Sequence, residues 1–148
     1  MEVITLIMSA AKAVGVSGIL LVGIGRHESA DFTQNYAAYD RGSPSFGSCQ
    51  LKEETALMFD FHGFPFELND PKKNAHFAAQ YLRYQQDRYG DDWVKLTSSY
   101  NSGSYFESKK VPGCPRNLRY VNLVKAKLPL DLQKRLQCGT SEEFAGNE

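Results

Sequence analysis

DPKKNAHFAAQYLRYQQDRYG, residues 70–90, is the stretch that decides the fold class. Asp70 suits a helix N-cap, because its carboxylate can accept a backbone N–H left open at the helix start, and Pro71 suits the first helical position. Ala75, Ala78, Ala79 and Leu82 then recur at i, i+3, i+4 and i+7, the spacing of one helix face. Gly90 fits the C-terminal end.

The same period returns on both sides. Asp91 and Asp92 open a helix with Trp93, Leu96, Thr97 and Tyr100 on one stripe, and Gly103 ends it. After a loop holding Pro112, Gly113 and Pro115, a helix over 116–128 would carry Tyr120, Leu123, Val124 and Leu128 on one face. Upstream, residues 62–69 read as a loop. A helix starts near Leu51, with Glu53 and Glu54 in a first turn that favours acids. Residues 31–47, with their Tyr, Gly, Ser and Pro, read as a longer loop. Residues 3–14 are apolar nearly all round, which predicts a helix buried in a core. Gly15 would end it, and Ser17 would cap a second helix over 18–29 with Leu20, Leu21 and Ile24 on one face. Strand alternation and internal repeats are lacking. The reading is an all-α protein with a single domain over residues 1–138 and a polar, mobile tail over 139–148.

Composition agrees with one folded domain. The 148 residues carry 17 Lys+Arg against 17 Asp+Glu, so the formal net charge is zero, and 42% are hydrophobic. That is enough apolar material for a core. Zero net charge argues against binding nucleic acid or an anionic membrane through bulk charge. The apolar N-terminal stretch, residues 3–25, is interrupted by Lys12 and preceded by Glu2, so it reads as core helices and not as a signal peptide or a membrane span. The expected state is a monomer that does not insert into membranes.

The three cysteines, Cys49, Cys114 and Cys138, have no metal-ligand spacing, and no metal or cofactor is expected. Two arrangements stay open: three free thiols, or a Cys114–Cys138 bridge that leaves Cys49 over.

Glu28 is the residue with chemistry to explain. It shares the face of Leu20, Leu21 and Ile24, and it sits at the C-terminal end of its helix. Apolar surroundings and the negative helix end both disfavour a charged carboxylate. A carboxylic acid kept neutral suits a general acid for cleaving a glycosidic bond. Two short segments point the same way. Ser45 to Gln50 is a small-residue turn in which Gly47 permits close backbone approach and Gln50 offers a donor and an acceptor. Tyr100-Asn101-Ser102-Gly103 puts a phenol and an amide at a helix end. Taken singly, each also reads as an ordinary loop, core or helix-end feature.

In order and spacing, these segments together resemble the lytic transglycosylase family of lysozyme-like muramidases, which includes the goose-type lysozymes. The "ES" signature stands as Glu28-Ser29. The G-L-M-Q turn stands as Gly47-Ser48-Cys49-Gln50, followed by Thr55-Ala56. The Y-N-A-G motif stands as Tyr100-Asn101-Ser102-Gly103, and Tyr120-Val121 resembles a late Y-V. The resemblance runs over about residues 4–125. Cys49 replaces the usual Met, Ser48 the usual apolar residue, and Pro44-Ser45 stands where G-A is frequent, so the neighbouring sugar subsite is expected to differ in shape.

The resemblance implies a lysozyme-like helical domain with a cleft for peptidoglycan glycan strands. Glu28 would be the catalytic residue, with Ser29, Gly47, Gln50, Tyr100 and Asn101 binding substrate or positioning the acid. It implies cleavage of the β-1,4 bond from N-acetylmuramic acid to N-acetylglucosamine, closing a 1,6-anhydro ring, in the periplasm or cell envelope. The rival reaction is hydrolysis, which needs a second carboxylate to orient water. Asp31, Asp40 and Glu53 are candidates, with Asp40 foremost. A reading of another class is a non-catalytic glycan-binding or virion structural module. Lys109, Lys110, Arg116 and Arg119 could meet substrate carboxylates or form solvated surface. Tyr36, Tyr39, Phe46 and Tyr105 could stack on sugars, Phe46 equally serving as core. His27, His62 and His76 carry no pattern.

Overall fold

Helix α1 (Val3–Val14) ends where Gly15 takes φ 76° and returns its N–H to the carbonyls of Ala11 and Lys12. This computed structural model describes residues 2–34, the backbone of 38–40, and residues 43–139. Within α1 only Ile7 and Ala11 are fully enclosed, one turn apart on the face that meets α2, while Met8 is 41% exposed. The expectation of a helix buried all round is therefore corrected. One face packs, and apolar side chains elsewhere stay partly wet, as much apolar surface does in folded proteins.

Helix α2 (Gly18–Glu28) begins as expected, with the Ser17 hydroxyl accepting the Leu20 N–H at 3.1 Å. Leu20, Leu21 and Ile24 are fully buried. After it comes a small sheet, with two strands in the expected loop over 31–47 and the third at the expected helix start near Leu51. Strands β1 (Ala38–Asp40), β2 (Ser43–Phe46) and β3 (Leu51–Lys52) form an antiparallel sheet in the order β1-β2-β3. Ala38 faces Ser45 in the first pair, and Phe46 faces Leu51 in the second. Strands of two to four residues are too short to display a period of two, and Pro44 masks the middle one. The architecture is nevertheless helical, as the sequence predicted.

Helix α3 (Glu53–Leu57) carries Glu53 and Glu54 in its first turn. A 3₁₀ turn (Pro65–Asn69) occupies the expected loop at 62–69. Helix α4 (Pro71–Tyr89) starts where Asp70 accepts the Lys73 N–H at 3.0 Å. The chain forms two compact units that divide between Tyr84 and Gln85. In the first unit, Arg83 Nη1 donates to the Val14 carbonyl at 2.8 Å and so satisfies the open end of α1.

In the second unit, Asp92 caps helix α5 (Trp93–Ser102) by accepting the Lys95 N–H at 3.1 Å. Trp93, Leu96, Thr97 and Tyr100 are buried, as their stripe predicted. Helix α6 (Leu118–Lys125) is shorter than the expected 116–128 span, although Leu128 remains buried beyond its end. Cys114 and Cys138 form a disulfide, which resolves the alternative left open by the sequence. The bridge packs beside Val111 and Leu118. Cys49 is buried and takes no part in the disulfide. Of the tail expected over 139–148, residues 140–148 lie outside the described residues. Among the described residues, no helix is long and apolar enough to cross a membrane.

Candidate active site

Glu28 is the last residue of α2 and is half-buried. The chain reverses immediately after it. Ala30, Asp31 and Phe32 take φ 50°, 57° and 67°, three consecutive left-handed residues with no glycine among them. Each such residue costs roughly 1–2 kcal/mol unless the surroundings hold it. Ser29 does the holding. Its hydroxyl donates to the Gly25 carbonyl at 2.7 Å and accepts the Phe32 N–H at 3.1 Å. Its carbonyl accepts the N–H groups of Thr33 and Gln34, both at 3.0 Å. Ser29 is fully buried, so its side chain shapes the exit from Glu28.

Gly25, one turn before, is a point of convergence. A Cβ there would stand 3.0 Å from the Phe32 ring, 3.3 Å from Cys49 Sγ and 3.5 Å from Ile7. Cys49 thus reaches the last turn of α2. Its thiol is pushed up to about 12, first by burial and second by the carboxylate of Glu28. The segment carrying Gln50 is therefore a neighbour of Glu28 although it is distant in sequence.

That segment is a tight turn. Gly47 takes φ 74°, and Gln50 takes φ 50°. Gln50 is half-buried, and its Nε2 donates to the Gly47 carbonyl at 2.8 Å. The close approach that Gly47 permits is made by the protein itself: the Asn74 carboxamide lies against it, and a Cβ would stand 2.7 Å from the Leu68 carbonyl oxygen. Asn74 is fully buried. Its Nδ2 donates to the carbonyls of Phe46 (2.7 Å) and Leu68 (2.8 Å), and its Oδ1 accepts the Cys49 N–H (2.8 Å). Sequence reasoning assigned Asn74 no role in the site. The available signal was its place on the apolar stripe of Ala78 and Leu82, where a polar side chain must find partners.

Tyr100 and Asn101 lie in the second unit, in the last turns of α5. Tyr100 is 6% exposed, whereas Asn101 is open to solvent and its Oδ1 accepts from Asn117 Nδ2 at 2.9 Å. A second buried carboxamide closes this helix. Gln85 Nε2 donates to the carbonyls of Ser99 (3.2 Å) and Gly103 (2.9 Å), and Arg88 Nη1 adds a bond to Gly103 at 2.7 Å. A buried amide and a guanidinium at a helix C-terminus answer its open carbonyls and its negative end.

Other candidates have protein partners or other surroundings. Phe46 is buried at 6% exposure and serves the core, which settles its two readings. The Tyr105 ring meets Tyr89 edge-on at 6.3 Å, with the Lys95 ammonium 5.3 Å from its centroid. Arg116 lies over Phe106 at 5.2 Å, and Lys109, Lys110 and Arg119 are exposed. His62 pairs with Asp60 at 2.8 Å, and His76 packs edge-on against Phe77 at 4.8 Å. His27 is half-buried. Asp31 is exposed in the left-handed turn, and Glu53 is half-buried in α3. Tyr36 and the side chains of Tyr39 and Asp40 lie outside the described residues. Among the described residues, no cluster of three His, Cys, Asp or Glu side chains could hold a metal ion.

A family model described as the transglycosylase SLT domain matches residues 5–112. That span includes Glu28, the Gly47–Gln50 turn, Tyr100 and Asn101. No curated protein matches the sequence. Among solved structures, the fold is similar to the lytic transglycosylase Slt of Pseudomonas aeruginosa, in an inactive mutant with a glutamate replaced by glutamine. The TM-score is 0.58 at 18% identity, covering 90% of this chain and 22% of that one. This chain thus spans about a fifth of the length of that protein.

Proposed function

Because this chain belongs to the transglycosylase SLT domain family, we propose that it is a peptidoglycan lytic transglycosylase with Glu28 as its acid and then its base. The observation that carries the reading is the setting of Glu28. It is a half-buried carboxyl at the end of α2, followed by a strained turn and flanked by the segment that bears Gln50. Backbone strain held in place beside one acidic side chain is a mark of a functional site.

The substrate is the glycan strand, cut between N-acetylmuramic acid and N-acetylglucosamine. Glu28 gives its proton to the bridging oxygen, and the C1–O bond breaks. The N-acetyl group of the muramic acid stabilises C1 in place of a protein nucleophile. Glu28, now ionised, takes the proton of the C6 hydroxyl, whose oxygen closes on C1 as a 1,6-anhydro ring. No water is consumed, and one carboxyl group serves twice. Gln50 orients the sugar or the acid, Tyr100 and Asn101 are the substrate-binding groups that the family resemblance implies, Ser29 shapes the helix exit, and Gly47 gives the turn its path. The site of action is the cell envelope, where this polymer lies.

Glu28→Gln tests the reading. The variant keeps the size and fold of the wild type and loses acid–base catalysis, which contributes ~10²–10⁴-fold. Release of soluble muropeptides from purified peptidoglycan should fall to that extent. A folded variant keeping half of wild-type activity removes Glu28 from the reaction. The inactive state of the Pseudomonas structure, also a Glu-to-Gln exchange, supports the choice of substitution.

A further inference from the structure

We propose that Asn74 is a positioning residue of this active site: its buried carboxamide fixes the Gly47–Gln50 turn against the last turn of α2 and so sets the surroundings of Glu28. The proposal rests on Glu28 being the catalytic acid.

One side chain ties three segments together. Both N–H bonds of the Asn74 amide are used, on Phe46 at the end of β2 and on Leu68 in the 3₁₀ turn. Its oxygen holds the Cys49 N–H inside the turn. An amide is the group that can donate twice and accept at once from so short a stem. The space is fitted to it as well, since the absent side chain of Gly47 leaves the room that the Asn74 carboxamide fills.

From Asn74 the path to Glu28 is short. Cys49, held by its N–H, places its sulfur 3.3 Å from where a Cβ on Gly25 would stand. Glu28 follows Gly25 by three residues, on the same turn of α2. On the other side of Cys49, Gln50 is held by its Nε2 bond to the Gly47 carbonyl at 2.8 Å. Loss of the carboxamide frees the turn, and Cys49 and Gln50 both move relative to the acid. A residue whose duty was only to hold the fold would change stability and leave these positions alone.

Cys49 supplies a readout independent of activity, because Cys114 and Cys138 are joined and Cys49 is the thiol outside that disulfide. The test uses the full chain with Asn74→Ala. Asn74→Asp serves as a second variant; it keeps the volume and the acceptor for the Cys49 N–H while the two carbonyls lose their donors. Labelling by a disulfide thiol reagent, followed against pH on the folded protein, reports the turn. In wild type, Cys49 should resist labelling. In the variants it should react at least about tenfold faster, with its titration moved towards 9.0. On purified peptidoglycan, kcat should fall roughly tenfold or more with a smaller change in KM, as misplacing a catalytic group does.

A folded variant with wild-type protection of Cys49, or one with an exposed thiol and wild-type kcat, overturns the proposal. Glu28→Gln measured alongside separates the two claims. If that variant stays active, the assignment of the acid fails, while the labelling of Asn74→Ala still reports on the turn.

Discussion

Cys49 keeps its thiol neutral beside Glu28: burial, and after it the Glu28 carboxylate, push its pKa from 9.0 up to about 12. Between those values the unfolded chain has released this proton and the folded chain still holds it, so folding stability falls as pH rises through that window. Denaturant midpoints of the wild type should therefore decline more steeply above about pH 9 than those of Cys49→Ala. Parallel declines in the two proteins contradict the burial of an un-ionised thiol next to the acid.

The Cys114–Cys138 bridge closes a loop across a sequence separation of 24 and anchors the chain beyond the 3₁₀ segment Leu130–Leu136 to the Val111–Leu118 cluster. A loop of that size stabilises by about 3 kcal/mol in the chain-entropy description. The Cys114→Ser, Cys138→Ser double variant should lose about this much in urea unfolding. Muralytic activity at low temperature should be retained, since neither cysteine belongs to the proposed site. Unchanged stability would show that the loop is already restrained without the bridge.

Gln85 makes a further prediction in the second unit. Gln85→Ala removes the amide donor of the buried Ser99 carbonyl and of the Gly103 carbonyl at the exposed end of α5. The cost should be about 1–3 kcal/mol, typical of unsatisfied buried groups. Backbone amide exchange in α5 should rise along with it. A variant as stable as wild type would show that Arg88, which also donates to Gly103, suffices alone.

The helices were legible because each carries its own local signals. Asp70 and Asp92 accept the N–H groups that their positions promised, and Ser17 does the same for α2. The small sheet was not legible, because strands of two to four residues are too short to show an alternation of their own and Pro44 interrupts the middle one. Glu28 was singled out by its face and its helix end. What surrounds it was hidden. The left-handed run at Ala30, Asp31 and Phe32 has no glycine to announce it, and the hydrogen bond from Cys49 to Asn74 spans 25 residues of chain. Gly47 was singled out for a close approach, and the approaching group is Asn74 of the same chain.

One measurement tests the proposed reaction most directly: mass spectrometry of the muropeptides that the purified protein releases from peptidoglycan. With Glu28 as the single acid and base, the nearby C6 hydroxyl competes with water through its high effective molarity and closes the ring. The expected products end in 1,6-anhydro-N-acetylmuramic acid, one water lighter than hydrolysis products, and they vanish in Glu28→Gln. Products with free reducing ends would contradict the transglycosylase reaction and make the enzyme a hydrolase, with a second carboxylate to be found.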